Sequence, residues 1–171
     1  TDIPADLWSV TAISYMSKLG MVKGYPDGNF MPRADITRAE FAAMATRFAD
    51  ISTGSKTFTD VAKDHWAYGV IQKAAEAGWI SGYPDGSFKP DQPITRAEVV
   101  AITNRMLNRF ADEAYVDAHQ DKILQFKDMN KGMWSYYPVV EATNGHGYER
   151  KANGKDETWF EVNGTSFVYD K

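Results

Sequence analysis

Arg38 and Arg96 hold the same place in two copies of one tetrapeptide, Thr37-Arg38-Ala39-Glu40 and Thr95-Arg96-Ala97-Glu98. A Thr followed three residues later by Glu is a capping box, whose hydroxyl and carboxylate satisfy open backbone N–H groups at a helix start. Glu40 and Glu98 are thereby given a structural role, and the arginines are not. A cation in the first helical turn meets the positive end of the helix dipole, at a cost of roughly a few tenths of a kcal/mol, so something negative should compensate. A guanidinium fork beside free helix N–H groups suits a carboxylate or phosphate. Two readings stay open: an anion site on each arginine, or an internal salt bridge with Asp27 or Asp85 as the acid.

Other chemistry is thin. Two carboxylates at a suitable separation are the minimum apparatus of a glycosidase, but Glu40 and Glu98 are occupied by capping and no other pair stands out, so no catalysis is expected. Asp27-Gly28-Asn29 lacks the alternating oxygen ligands and closing Glu of an EF-hand loop. His65, His119 and His146 are scattered along the chain, and neither a metal site nor a cofactor is expected. Trp8, Trp66 and Trp134 share one repeat position; packing between copies is the plain expectation, and the wall of a sugar site the sharper one.

The elements that position these residues repeat. Tyr25-Pro26-Asp27-Gly28 returns as Tyr83-Pro84-Asp85-Gly86, at the same spacing of 58 residues as the Thr-Arg-Ala-Glu pair, and residues 20–40 laid over 78–98 give 13 identities in 21 positions. The same offset sets Thr1-Asp2-Ile3 on Thr59-Asp60-Val61 and Trp8 on Trp66, so the chain reads as a piece of a longer protein. A third start, Phe126-Lys127-Asp128-Met129 with Trp134, lacks a following Pro-Asp-Gly turn or Thr-Arg-Ala-Glu. Copy three is therefore degenerate. The divisions are 1–57, 58–107, a linker or helix extension at 108–125, and 126–171.

Within a copy, Val70, Ile71, Ala74, Ala75 and Gly78 follow Trp66 at helical spacing. Pro at the second position of Tyr-Pro-Asp-Gly presets a type I turn, and Gly28 or Gly86 closes it. A second helix runs from the capping box through Phe41, Met44, Ala45 and Phe48. Each copy of helix, loop and helix is too small to bury its own apolar stripe, so neighbouring copies must pack together. In the tail, Thr158–Val162, Asn163-Gly164 and Thr165–Tyr169 predict a β-hairpin with a two-residue turn.

Composition narrows the partners. The 171 residues carry a formal charge of −4 and no cysteine, which excludes the basic surface of a non-specific nucleic-acid binder, a disulfide framework and a thiolate metal site. No apolar run reaches 18 residues, so no membrane insertion is expected.

Phe-x-Asp-Val…His-Trp-Ala at Phe58–Ala67, Gly-Tyr-Pro-Asp-Gly-x-Phe-x-Pro at Gly82–Pro90 and Ile-Thr-Arg-Ala-Glu at Ile94–Glu98 resemble the S-layer homology (SLH) domain. The resemblance implies a mainly α fold, three tandem repeats in a pseudo-threefold bundle, whose inter-repeat grooves bind secondary cell wall polysaccharide, commonly pyruvylated N-acetylmannosamine. It implies a bacterial cell-surface anchor belonging to a larger secreted protein, with peptidoglycan-linked glycan or other surface-layer proteins as alternative partners. Carried over by motif, Arg38 and Arg96 would meet the pyruvate carboxylate, near Asp27, Gly28, Asp85 and Gly86 of the loops, Glu40 and Glu98 of the caps, and Trp66 or Trp134 of the next copy. The third groove, where Asn144–Arg150 replaces the loop, should be altered or silent.

Overall fold

The computed structural model describes residues 2–165. In chain order these form α1 (Val10–Lys18), α2 (Arg38–Ala45) continued by a 3-10 turn at Thr46–Phe48, α3 (Tyr68–Glu76), α4 (Arg96–Met106), α5 (Glu113–Ala118), α6 (Tyr136–Thr143), β1 (Asn144–Arg150) and β2 (Glu157–Thr165). The fold is mainly helical, with one two-stranded antiparallel sheet. It divides into two compact units, residues 1–94 and 95–171. The division falls inside the second copy, between its loop and its capping box.

In the first unit α2 packs on α3. Ala39, Ala42, Ala43 and Ala45 of α2 are buried, as are Ile71, Ala74 and Ala75 of α3. Small side chains let two helices approach closely, and alanine carries no side-chain entropy cost in a helix. Both Trp-led helices of this unit begin two residues after their tryptophan, at Val10 and Tyr68, and each ends at a glycine of positive φ, Gly20 and Gly78, the expected C-terminal stop.

The second unit packs α4 against α6. Asn104 Nδ2 donates to the Pro138 carbonyl at 2.8 Å, pairing a buried amide with a helix carbonyl. Val116, Ile123, Tyr136, Val140 and Trp159 form its apolar core. The 108–125 stretch is not an extension of α4. That helix ends at Met106, Asn108 takes φ 52°, and Asp112 Oδ1 accepts from Tyr115 N to start α5 afresh. A local N-cap outcompetes continuation here.

The tail hairpin exists, but its turn lies elsewhere than expected. β1 and β2 pair with His146 opposite Val162 and Arg150 opposite Glu157, and the connection is residues 151–156. There Gly154 has φ 69°, and Asn153 Oδ1 accepts from the backbone N–H of Lys155 and Asp156. Asn-Gly occurs at 144–145, 153–154 and 163–164, and only the middle pair turns. Asn163-Gly164 stays extended because Asn144–Arg150 supplies a partner strand long enough to carry the ladder past it. Residues 166–169 of the expected second strand lie outside the described residues.

Candidate functional site

The two Tyr-Pro-Asp-Gly loops fold alike. Gly28 N donates to Tyr25 O at 3.0 Å and Gly86 N to Tyr83 O at 2.9 Å, closing each turn, and both glycines sit at positive φ, 85° and 81°. That conformation suits glycine because no Cβ clashes. Gly82 is needed for a second reason: a Cβ there would come within 2.6 Å of the Phe58 ring and of the Ser87 carbonyl. The loop aspartates serve their own turns. Asp27 Oδ1 accepts from Asn29 N at 2.9 Å, and Asp85 Oδ1 from Ser87 N and Oγ at 3.0 and 2.6 Å. The Ser87 hydroxyl and N–H hold the Asp85 carboxyl below its ordinary range.

Sequence reasoning gave no role to the aspartates that open each copy, yet both clamp the far end of a loop. Asp2 takes Phe30 N and Met31 N at 2.8 and 2.6 Å, and Asp60 takes Phe88 N and Lys89 N, each at 2.7 Å. Met31 and Lys89 have φ of 56° and 58°, so each carboxylate holds a residue in a left-handed conformation that L side chains seldom adopt. The Thr-Asp pair carried this signal in the sequence, since Thr1-Asp2 and Thr59-Asp60 recur at the 58-residue offset of the loops.

Both capping boxes form as expected, Thr37 with Glu40 and Thr95 with Glu98, each Thr side chain accepting from the Glu N–H at 3.2 Å. Burial pulls the Glu40 carboxyl upward, but hydrogen bonds from the Thr37 N–H, the Tyr25 hydroxyl (2.8 Å) and the Thr37 side chain outweigh it and hold it below the usual range. The same bond, with a smaller contribution from burial, pushes the Tyr25 phenol up.

The two arginines differ in place. Arg38 is buried, its Nε donating to the Phe88 carbonyl at 2.8 Å and its guanidinium lying 4.8 Å from the ring centres of Tyr83 and Phe88. It binds the loop of the following copy. Arg96 is exposed.

A cavity of about 540 Å³ opens in the first unit. Gly24, Tyr25 and Pro26 of the loop form one part of its wall, Glu40, Met44 and Arg47 of the second helix and its 3-10 turn another, and Trp66 a third. Arg38 is not among the lining residues, and Asp27 and Gly28 are not either. The cavity's guanidinium is that of half-buried Arg47, tied by Nη1 to the Met21 carbonyl at 2.9 Å; exposed Lys23 adds a second cation. The expectation that the repeated tryptophans pack between copies fails: Trp8, Trp66 and Trp134 are 85%, 64% and 63% exposed. Each lies in the turn just ahead of its helix.

Residues 1–42 and 57–100 match the S-layer homology domain. The chain is 36% identical over 162 residues to a cellulosome-anchoring protein of Acetivibrio thermocellus, covering 91% of this chain and 34% of that protein. It is 35% identical to cell surface glycoprotein 1 of the same organism, covering 86% of this chain and 7% of that one. A surface layer protein of Brevibacillus choshinensis is 37% identical over 101 residues, covering 56% of this chain and 9% of that protein. The chain belongs to the S-layer homology domain family. It spans about a third or less of the length of these relatives.

Proposed function

We propose that this chain is a non-catalytic module that anchors a larger protein at the bacterial cell surface by binding a wall polysaccharide. The observation that carries the reading is the cavity of the first unit, whose wall a largely exposed indole shares with the Gly24-Tyr25-Pro26 loop and a fixed guanidinium. An exposed aromatic face suits the apolar face of a pyranose ring, and convergent polar groups orient the sugar. Arg47, with Lys23, supplies the counter-charge for an anionic substituent such as a ketal pyruvate, the modification that the family resemblance implies. Arg38 supports this indirectly, by holding the second copy's loop; in the second unit Arg105, 58 residues after Arg47, and Trp134 hold the corresponding places, whereas Arg96 answers to Arg38. The pseudo-threefold arrangement of the copies belongs to this reading. Relatives named for anchoring and for surface layers, each far longer than the matching region, are consistent with a module attached to cargo.

Cosedimentation with native cell walls tests the site. Trp66→Ala and Arg47→Gln should each release the chain to the supernatant while far-UV circular dichroism stays unchanged. Retention of both folded variants on walls at wild-type level would refute the cavity as the binding site.

A further inference from the structure

His146 is scattered from the other histidines in sequence, but the fold sets it between two buried carboxylates. Glu141 ends up on α6, His146 on β1 and Glu157 on β2, with side chains 2%, 1% and 0% exposed. His146 Nδ1 lies 2.7 Å from the Asn144 carbonyl. A carbonyl can only accept, so Nδ1 carries the proton and Nε2 presents a lone pair. That nitrogen lies 3.4 Å from Glu141 Oε2 and 3.4 Å from Glu157 Oε2. Three acceptor atoms thus converge, and among the described residues Glu141 Oε2 has no hydrogen-bond partner. A buried acceptor left unsatisfied is costly, and more so when charged.

We propose that Glu141, His146 and Glu157 form a site for one first-row divalent cation of the Zn²⁺ type. With metal–ligand bonds of about 2.0–2.2 Å, the edge of a ligand tetrahedron is about 3.4 Å, which is the spacing of Nε2 from both carboxylate oxygens. The surroundings are those a ligand histidine needs. Its far nitrogen is fixed by a carbonyl, and its ring is stacked on Trp159 with centroids 3.6 Å apart. Trp159 Nε1 donates to Glu157 Oε2 at 3.2 Å. Arg109 bridges the outer oxygens, Glu141 Oε1 at 2.9 Å and Glu157 Oε1 at 3.1 Å, and its Nη2 now occupies the Nε2 lone pair at 2.8 Å. The cation competes with Nη2 for that lone pair. Arg109 has the room to give way, since its side chain is 31% exposed, and in doing so it opens the fourth position to water.

The test is calorimetric titration of the chelator-treated chain with Zn²⁺, and separately with Mg²⁺, followed by Co²⁺ absorption to read coordination number. One equivalent of Zn²⁺ should bind, and Mg²⁺ should not. Co²⁺ should give the intense visible bands of a four-coordinate site. Glu141→Gln keeps the shape of the side chain and its Oε1 acceptor; it and His146→Gln should each weaken Zn²⁺ by tenfold or more. A His65→Gln, His119→Gln double variant should bind as wild type. No Zn²⁺ binding, or binding lost in the double variant and kept in Glu141→Gln, would overturn the proposal and leave the cluster an internal ion network. If His146→Gln fails to fold, Glu141→Gln decides alone.

Discussion

Replacing Arg38 by Ala removes a buried guanidinium whose contacts cross from the first copy to the loop of the second. Its Nε bond to the Phe88 carbonyl is 2.8 Å long, and a hydrogen bond to a charged group is worth about 1.5–3 kcal/mol. The rings of Tyr83 and Phe88, each 4.8 Å from the guanidinium carbon, add about 0.5–2 kcal/mol by cation–π attraction. Allowing for overlap between these, Arg38→Ala should destabilise the chain by about 3 kcal/mol. Arg96 stands at the same motif position but is exposed, and a change there should stay within about 0.5 kcal/mol. Urea unfolding of both variants, followed by circular dichroism, measures the difference. Equal midpoints for the two, or an Arg38→Ala midpoint at the wild-type value, would refute the assignment of Arg38 to the loop.

Further outcomes follow from the same contacts. Asp60→Ala should cost about 2 kcal/mol, because it leaves the N–H groups of Phe88 and of left-handed Lys89 without their carboxylate; thermal unfolding reads it. Thr37→Ala and Thr95→Ala should each cost about 1 kcal/mol as lost helix caps, in the same assay. Burial, reinforced by the Glu157 charge and opposed by Arg109, pushes the Glu141 carboxyl up to about 7. Without metal the folded chain then keeps a proton that the unfolded chain releases near 4.5. Its contribution to stability is present below that value and is lost as pH rises to about 7, by at most roughly 3 kcal/mol. Buried His146, its pKa lowered, acts in the opposite sense, losing stability as pH falls through its folded value. Urea midpoints from pH 4.5 to 8 in chelator should show the Glu141 slope in wild type and lose it in Glu141→Gln.

Much of the frame was legible in the sequence, because repeated turns and caps are local chemistry. Thr-x-x-Glu at 37–40 and 95–98 forms its capping boxes, and Tyr-Pro-Asp-Gly its closed turns, since neither depends on distant residues. Long-range consequences were not legible. Nothing in the spacing told Arg38 from Arg96, whose motifs are identical and whose burial is set by what packs on each helix start. The three Asn-Gly pairs were equivalent as sequence, and only strand pairing selects Asn153-Gly154 as the turn. The tryptophans defeated the ordinary burial of large aromatics, because each lies in a turn ahead of its helix. The Glu141, His146 and Glu157 cluster spans 17 positions across a helix and two strands, a separation that no metal-ligand spacing rule describes.

The measurement closest to the central claim is cosedimentation of the unmodified chain with three wall preparations: native walls, walls stripped of secondary polysaccharide, and walls whose polysaccharide lacks its pyruvate groups. Binding to the first alone is the predicted result, and it would make the anionic sugar the anchor's target. Equal binding to all three would contradict it and move the target to peptidoglycan or to a wall protein.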